Sequence, residues 1–173
     1  PVAVMAGRAV SPAAGPRAPP AAFRARRPRG RPRGAVRAAA GTLRACRVGG
    51  DGTLADLGTV PDGGEGPCNL SVDPSGMFLV TANYGNGTVV VHRIGDDGSI
   101  GEQTDFVTHS EALGPNKARQ DHAHAHQAPL HASGPWLLFT ALGPGAVYVP
   151  PLDLATGPCR PRPHQPRPPP PAA

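Results

Sequence analysis

Residues 41–54, GTLRACRVGGDGTL, recur as residues 87–100, GTVVVHRIGDDGSI, at an offset of 46. A second pair lies further on. Residues 74–89, PSGMFLVTANYGNGTV, align with residues 132–147, ASGPWLLFTALGPGAV, at an offset of 58, the extra length coming from the stretch 105–125. Inside these units the β-branched and aromatic runs 70–72, 78–82, 88–94, 136–140 and 146–149 read as strands, divided by DPSG, YGNG and GDDG turns. Nothing between Gly41 and Gly157 sustains a helical period. Several short strands in a period of roughly 40–50 residues indicate propeller blades, each burying its apolar faces against its neighbours. The expected fold is therefore all-β, a partial β-propeller. Residues 41–157 hold about two and a half such blades, whereas a ring closes with roughly 4–8, so the stretch reads as a fragment with apolar strand edges exposed.

The 173 residues include 23 Gly and 24 Pro, with aromatics at 4%, too few large apolar groups to pack a core along the whole length. No apolar run approaches the ~18 residues of a membrane-spanning helix. Cys46, Cys68 and Cys159 are odd in number and widely spaced, which suits neither a disulfide framework nor a zinc knuckle. The net charge of +5 is an average of unlike parts. Residues 1–50 carry eleven arginines and no acid, while residues 51–157 carry all twelve acids against Arg93, Lys117 and Arg119. The basic pI thus belongs to the ends and does not favour nucleic acid as a partner of the folded part.

Residues 1–40 form an Ala/Pro/Arg-rich segment expected to be disordered. It reads as an organelle transit peptide, short of serine, as an arginine-rich nucleic-acid arm, or as a mispredicted flank. Residues 158–173, with eight prolines, read as a second disordered tail, with polyproline recognition as the alternative.

Chemistry concentrates in the intervening stretch 108–127, THSEALGPNKARQDHAHAHQ, which holds four of the seven histidines. A polar loop on a rigid β scaffold is where sites tend to sit. On an extended strand His122, His124 and His126 would share one face, but side chains two apart stand about 7 Å apart, awkward for ligands ~2.1 Å from one zinc. The stretch also lacks the Asp-His completion of the HxHxDH hydrolases that it partly resembles, so no metal is expected. A single histidine as general base or acid suits neutral pH, with Arg119 holding a carboxylate or phosphate or balancing an oxyanion. A solvated His-rich loop is the bland alternative.

Residues 66–76, GPCNLSVDPSG, then ANYG at 82–85, GPN at 114–116, and Arg119-Gln120 leading into His124-Ala-His126 resemble the seven-bladed-propeller lactonase family, which includes bacterial 6-phosphogluconolactonases and carboxy-muconate cycloisomerases. The motifs run in the family's order over nearly all of 41–157, about a third of a member's length. The resemblance implies hydrolysis of a small sugar lactone such as 6-phosphogluconolactone, in carbohydrate metabolism, with no metal or organic cofactor. It places the catalytic base at His124, with His126 as neighbour or alternative, and substrate contacts at Arg119, Gln120, Asn83 and Tyr84; turn geometry and packing is the other reading of Asn83 and Tyr84. The family is largely cytosolic, so the expected compartment is the cytoplasm, with the plastid as the alternative that the N-terminal composition offers.

The sequence departs from the family at Ala123, where a proline precedes the first histidine; at Ala141-Leu142-Gly143, where Asp-Leu-Gly is usual; and at Pro150-Pro151 after the last strand. The later blades have no counterpart. The chain alone is therefore expected to hydrolyse little or no lactone. A non-catalytic propeller-derived interaction module and a cycloisomerase are the alternatives.

Overall fold

The structure is a computed structural model that describes residues 34–39, 41–49, 51–131 and 136–157. Ten strands follow in order: β1 Gly34–Ala39, β2 Thr42–Val48, β3 Leu54–Pro61, β4 Pro67–Val72, β5 Phe78–Asn83, β6 Thr88–Ile94, β7 Ile100–Val107, β8 Ala125–Gln127, β9 Phe139–Ala141 and β10 Ala146–Tyr148. The described residues contain no helix, so none is long and apolar enough to cross a membrane. The strands form three antiparallel meanders: β1-β2-β3, a complete four-stranded blade β4-β5-β6-β7, and β8-β9-β10.

The repeat survives at atomic detail. In the β2–β3 turn, Thr53 N and Oγ1 donate to Asp51 Oδ1 at 3.0 and 2.7 Å. In the β6–β7 turn, Ser99 N and Oγ donate to Asp97 Oδ1 at 2.9 and 2.7 Å. Each carboxylate caps its own turn two residues on, so the same short sequence closes the same hairpin in both blades.

One strand corrects the sequence reading. The first 40 residues were expected to be disordered, but β1 occupies Gly34–Ala39 and pairs with β2 from Gly34↔Arg47 to Ala39↔Thr42. Its Ala/Arg composition carries little strand propensity; the ladder to β2 and the burial of Ala38 fix it. Residues 1–33 and 158–173, which include most of the two expected tails and Cys159, lie outside the described residues.

Packing between sheets explains why β5 is buried along its whole length. Its Phe78, Val80 and Ala82, with Val89 and Val91 of β6, face the third sheet and meet Ala125, Phe139, Ala141 and Tyr148. Leu79 and Ile94 face the first sheet and meet Ala38, Leu43 and Ala45. Each large side chain buried there contributes roughly 1.5–3 kcal/mol relative to exposure. The outer faces lack this cover: Leu54, Trp136 and Val147 are 58%, 46% and 51% exposed.

Seven polar side chains are also buried, Asp62, Asp73, Thr81, Asn83, Thr88, His92 and His124. Asp62, Thr81 and Asn83 approach one another without closing hydrogen bonds. Burial pushes the Asp62 carboxyl above its ordinary value, and the approach of Thr81 and Asn83 only partly offsets it. A raised carboxyl favours the fold below the unfolded value near 3.8, and that contribution is lost as pH rises through the folded value. Asp62→Asn is therefore expected to gain roughly 1 kcal/mol at pH 7 over wild type, an advantage that shrinks toward pH 4. Urea midpoints across that range check it, and a pH-independent difference would contradict it.

Candidate active site

The link from β7 to β8 lies against two tight turns, 84–87 between β5 and β6 and 142–145 between β9 and β10. Gln120 fastens it. Its Nε2 donates to the carbonyls of Leu142 and Gly143, each at 3.0 Å, and its Oε1 accepts from Asn116 N at 3.0 Å. Gly143 N donates to Ala123 O at 2.8 Å, and Leu142 N to His124 O at 3.2 Å. Nε2 of Gln120, the side chain assigned to substrate, is thus engaged by the β9–β10 turn and ties the loop to it.

His124 enters β8 with φ of +50°, the one non-glycine residue in the left-handed region among those described. Gly87 makes room: a Cβ there would stand 2.6 Å from Ala123 Cβ and 2.8 Å from His124 N. The left-handed residue breaks the strand alternation that would have put His122, His124 and His126 on one face. His124 turns back onto the loop, with Nε2 2.7 Å from Asp121 Oδ1 and Nδ1 3.2 Å from Tyr84 O. Its ring lies 4.4 Å from the Tyr84 ring and 3.5 Å from that of His122, centroid to centroid. The side chain favoured as base thus points Nε2 at the Asp121 carboxylate and Nδ1 at the Tyr84 carbonyl.

His126 also approaches Tyr84, its ring 6.1 Å away and edge-on. It is exposed and lines a cavity of about 730 Å³ together with Cys68, Tyr84, Arg119 and the β9–β10 hairpin from Thr140 to Val147. The volume falls within the roughly 300–1,000 Å³ of small-molecule sites. The structure therefore brings together Arg119, Tyr84 and His126. It leaves Asn83 out: that side chain is fully buried, packed so closely on Gly64 that a Cβ there would lie 2.1 Å from its Nδ2. Of its two readings, packing is the one its position fits.

Two neighbours of the cavity escaped the sequence reading. Asp121 is held down to about 2, chiefly by the hydrogen bond with His124, so it is a carboxylate at neutral pH. The spacing of three to His124 was its only signal. Cys68 occupies the position 58 residues before His126, so the repeat itself pointed to it. Its thiol donates toward His126 O at 3.1 Å, and burial pushes it up to about 11, which leaves too little thiolate at neutral pH for a nucleophile.

The family model described as "Lactonase, 7-bladed beta-propeller" matches residues 34–169. A protein of Arthroderma benhamiae named "Probable 6-phosphogluconolactonase" is 30% identical over 111 residues, covering 64% of this chain and 28% of that protein. The 6-phosphogluconolactonase of Bacillus subtilis strain 168 is 33% identical over 86 residues, covering 50% of this chain and 24% of that enzyme. The chain thus spans about a quarter of the length of these relatives. The periplasmic gluconolactonase of Pseudomonas aeruginosa shares the fold with a TM-score of 0.68 and 22% identity, over 80% of this chain and 42% of that structure.

Proposed function

The chain belongs to the seven-bladed β-propeller lactonase family, and on that premise we propose that its Tyr84–Arg119–His126 wall forms part of a site that hydrolyses a sugar lactone of the 6-phosphogluconolactone type. The observation that carries the reading is the meeting of an exposed arginine and an exposed histidine at one largely apolar cavity. Arg119 is an always-charged planar fork suited to a phosphate or to the oxyanion formed at the ring carbonyl. His126 takes the proton of the attacking water. Asp121 and His124, bonded to each other, back the Tyr84 side of the wall. Water adds to the carbonyl carbon, the ring C–O bond breaks, and the proton passes to the leaving alkoxide, so no redox partner is required. The compartment that fits the family is the cytoplasm, with the plastid as the address if the arginine-rich N-terminus acts as one.

The three sheets leave one side of the cavity open, and the β9–β10 rim at Val147 is half exposed. A positioned base alone supplies roughly 10²–10⁴ in rate, and with the cavity open on one side the chain is expected to reach no more than the lower end, about a hundredfold over the spontaneous hydrolysis of fresh 6-phosphogluconolactone. Whatever excess is measured should fall at least about tenfold in His126→Ala and survive Asn83→Gln wherever that variant folds. An excess untouched by His126→Ala would sink the assignment of the base.

A further inference from the structure

The geometry points to a second site, for a divalent transition-metal ion, formed by Asp121, His122 and His124, which are not among the residues lining the cavity and lie beside Tyr84. Their donor atoms lie within 4.8 Å of one another. The closest approaches are 2.7 Å between Asp121 Oδ1 and His124 Nε2 and 3.2 Å between Asp121 Oδ2 and His122 Nδ1. Ligands around a tetrahedral zinc with ~2.1 Å bonds stand roughly 3.4 Å apart. The His122 side chain is 38% exposed, so the site lies at the edge of the loop, within reach of solvent.

His124 supplies the sharper argument. Its two ring nitrogens face two acceptors, the Tyr84 carbonyl and the Asp121 carboxylate. A neutral imidazole has one N–H, so one of these contacts lacks a hydrogen. An ion at Nε2 resolves the conflict, leaving Nδ1–H to donate to Tyr84 O and making Asp121 a fellow ligand. A backbone carbonyl behind the ligating histidine is the usual outer support of such sites. His122 adds a buried Nε2 with no hydrogen-bond partner, so this ring too has an unassigned nitrogen. The left-handed turn at His124 removes His126 from the set and lets Asp121 complete it. Two imidazoles and one carboxylate suit zinc, cobalt, nickel or copper rather than magnesium or calcium.

The rival arrangement is a doubly protonated His124 paired with Asp121 and no metal. Cobalt(II) titration of the full chain, followed by visible d–d absorption and displaced by zinc, separates the two. The expected result is one ion per chain, with no thiolate charge-transfer band, and binding at least about tenfold weaker in Asp121→Asn and again in His122→Gln. His126→Gln and His131→Gln should bind as wild type does. Broadened Tyr84 ring signals place the ion beside His124. Both weakening substitutions fall on partly exposed side chains, and circular dichroism without cobalt verifies each fold; His122→Ala replaces a variant that fails it. Absence of binding, equal binding in folded Asp121 and His122 variants, or a thiolate band would each overturn the site.

Discussion

Replacing Gly143 by alanine is expected to cost about 3 kcal/mol or more, among the largest effects of any single methyl group in this chain. A Cβ at Gly143 would lie 1.9 Å from His122 O and 2.8 Å from Ala123 Cα. Both are backbone atoms and have little room to give. Gly143 N is tied to Ala123 O at 2.8 Å, and Gly143 O receives Gly114 N at 2.8 Å and Gln120 Nε2 at 3.0 Å. The methyl group therefore drives apart the loop and the hairpin that together make the cavity. Gly145 is the control: it has φ of +64°, and a Cβ there meets only Gln120 Nε2 at 3.7 Å. Gly145→Ala should thus cost only the left-handed backbone term of roughly 1–2 kcal/mol. Urea unfolding of the two variants decides the matter, and Gly143→Ala no worse than Gly145→Ala would contradict the close approach.

Phe139→Ala is expected to lose about 3–5 kcal/mol. The ring is fully buried, stacks on Tyr148 at 4.7 Å and 16°, and meets the His109 ring at 5.1 Å. Its importance follows from the third sheet's shortness. β8, β9 and β10 have three residues each, so packing onto β5 and β6 holds them more than their own ladders do. Phe139→Leu should recover more than half of the loss. Thermal unfolding with proteolysis of the third sheet measures both, and a loss under about 1 kcal/mol for the alanine variant would show that this sheet is not held as described.

What was legible in the sequence was whatever one side-chain period or one turn chemistry specifies. The Asp51/Thr53 and Asp97/Ser99 turns close alike because the same residues fall at the same spacing. β5 and β6 carry consecutive apolar residues, at 78–80 and 89–91, because both of their faces are covered. The outer strands gave weaker signals. β3, LADLGTVP, is mostly exposed, and β7, IGEQTDFV, is buried chiefly at its ends, so neither alternates cleanly. β1 depends on a partner strand that its own alanines do not announce. At the site, residue types were readable and their directions were not. One left-handed residue, His124, separates three histidines that look equivalent in the sequence, and Gln120 is committed by carbonyls 22 and 23 residues away.

The most direct test of the central claim is a nuclear magnetic resonance titration of the full chain with 6-phosphogluconate, the product of the proposed reaction, following the rings of His126 and Tyr84. The account predicts saturable shifts at both rings, with affinity at least about tenfold lower in Arg119→Ala, the cost of one charge-assisted contact. Shifts confined to β1–β3, or an affinity indifferent to Arg119, would contradict it.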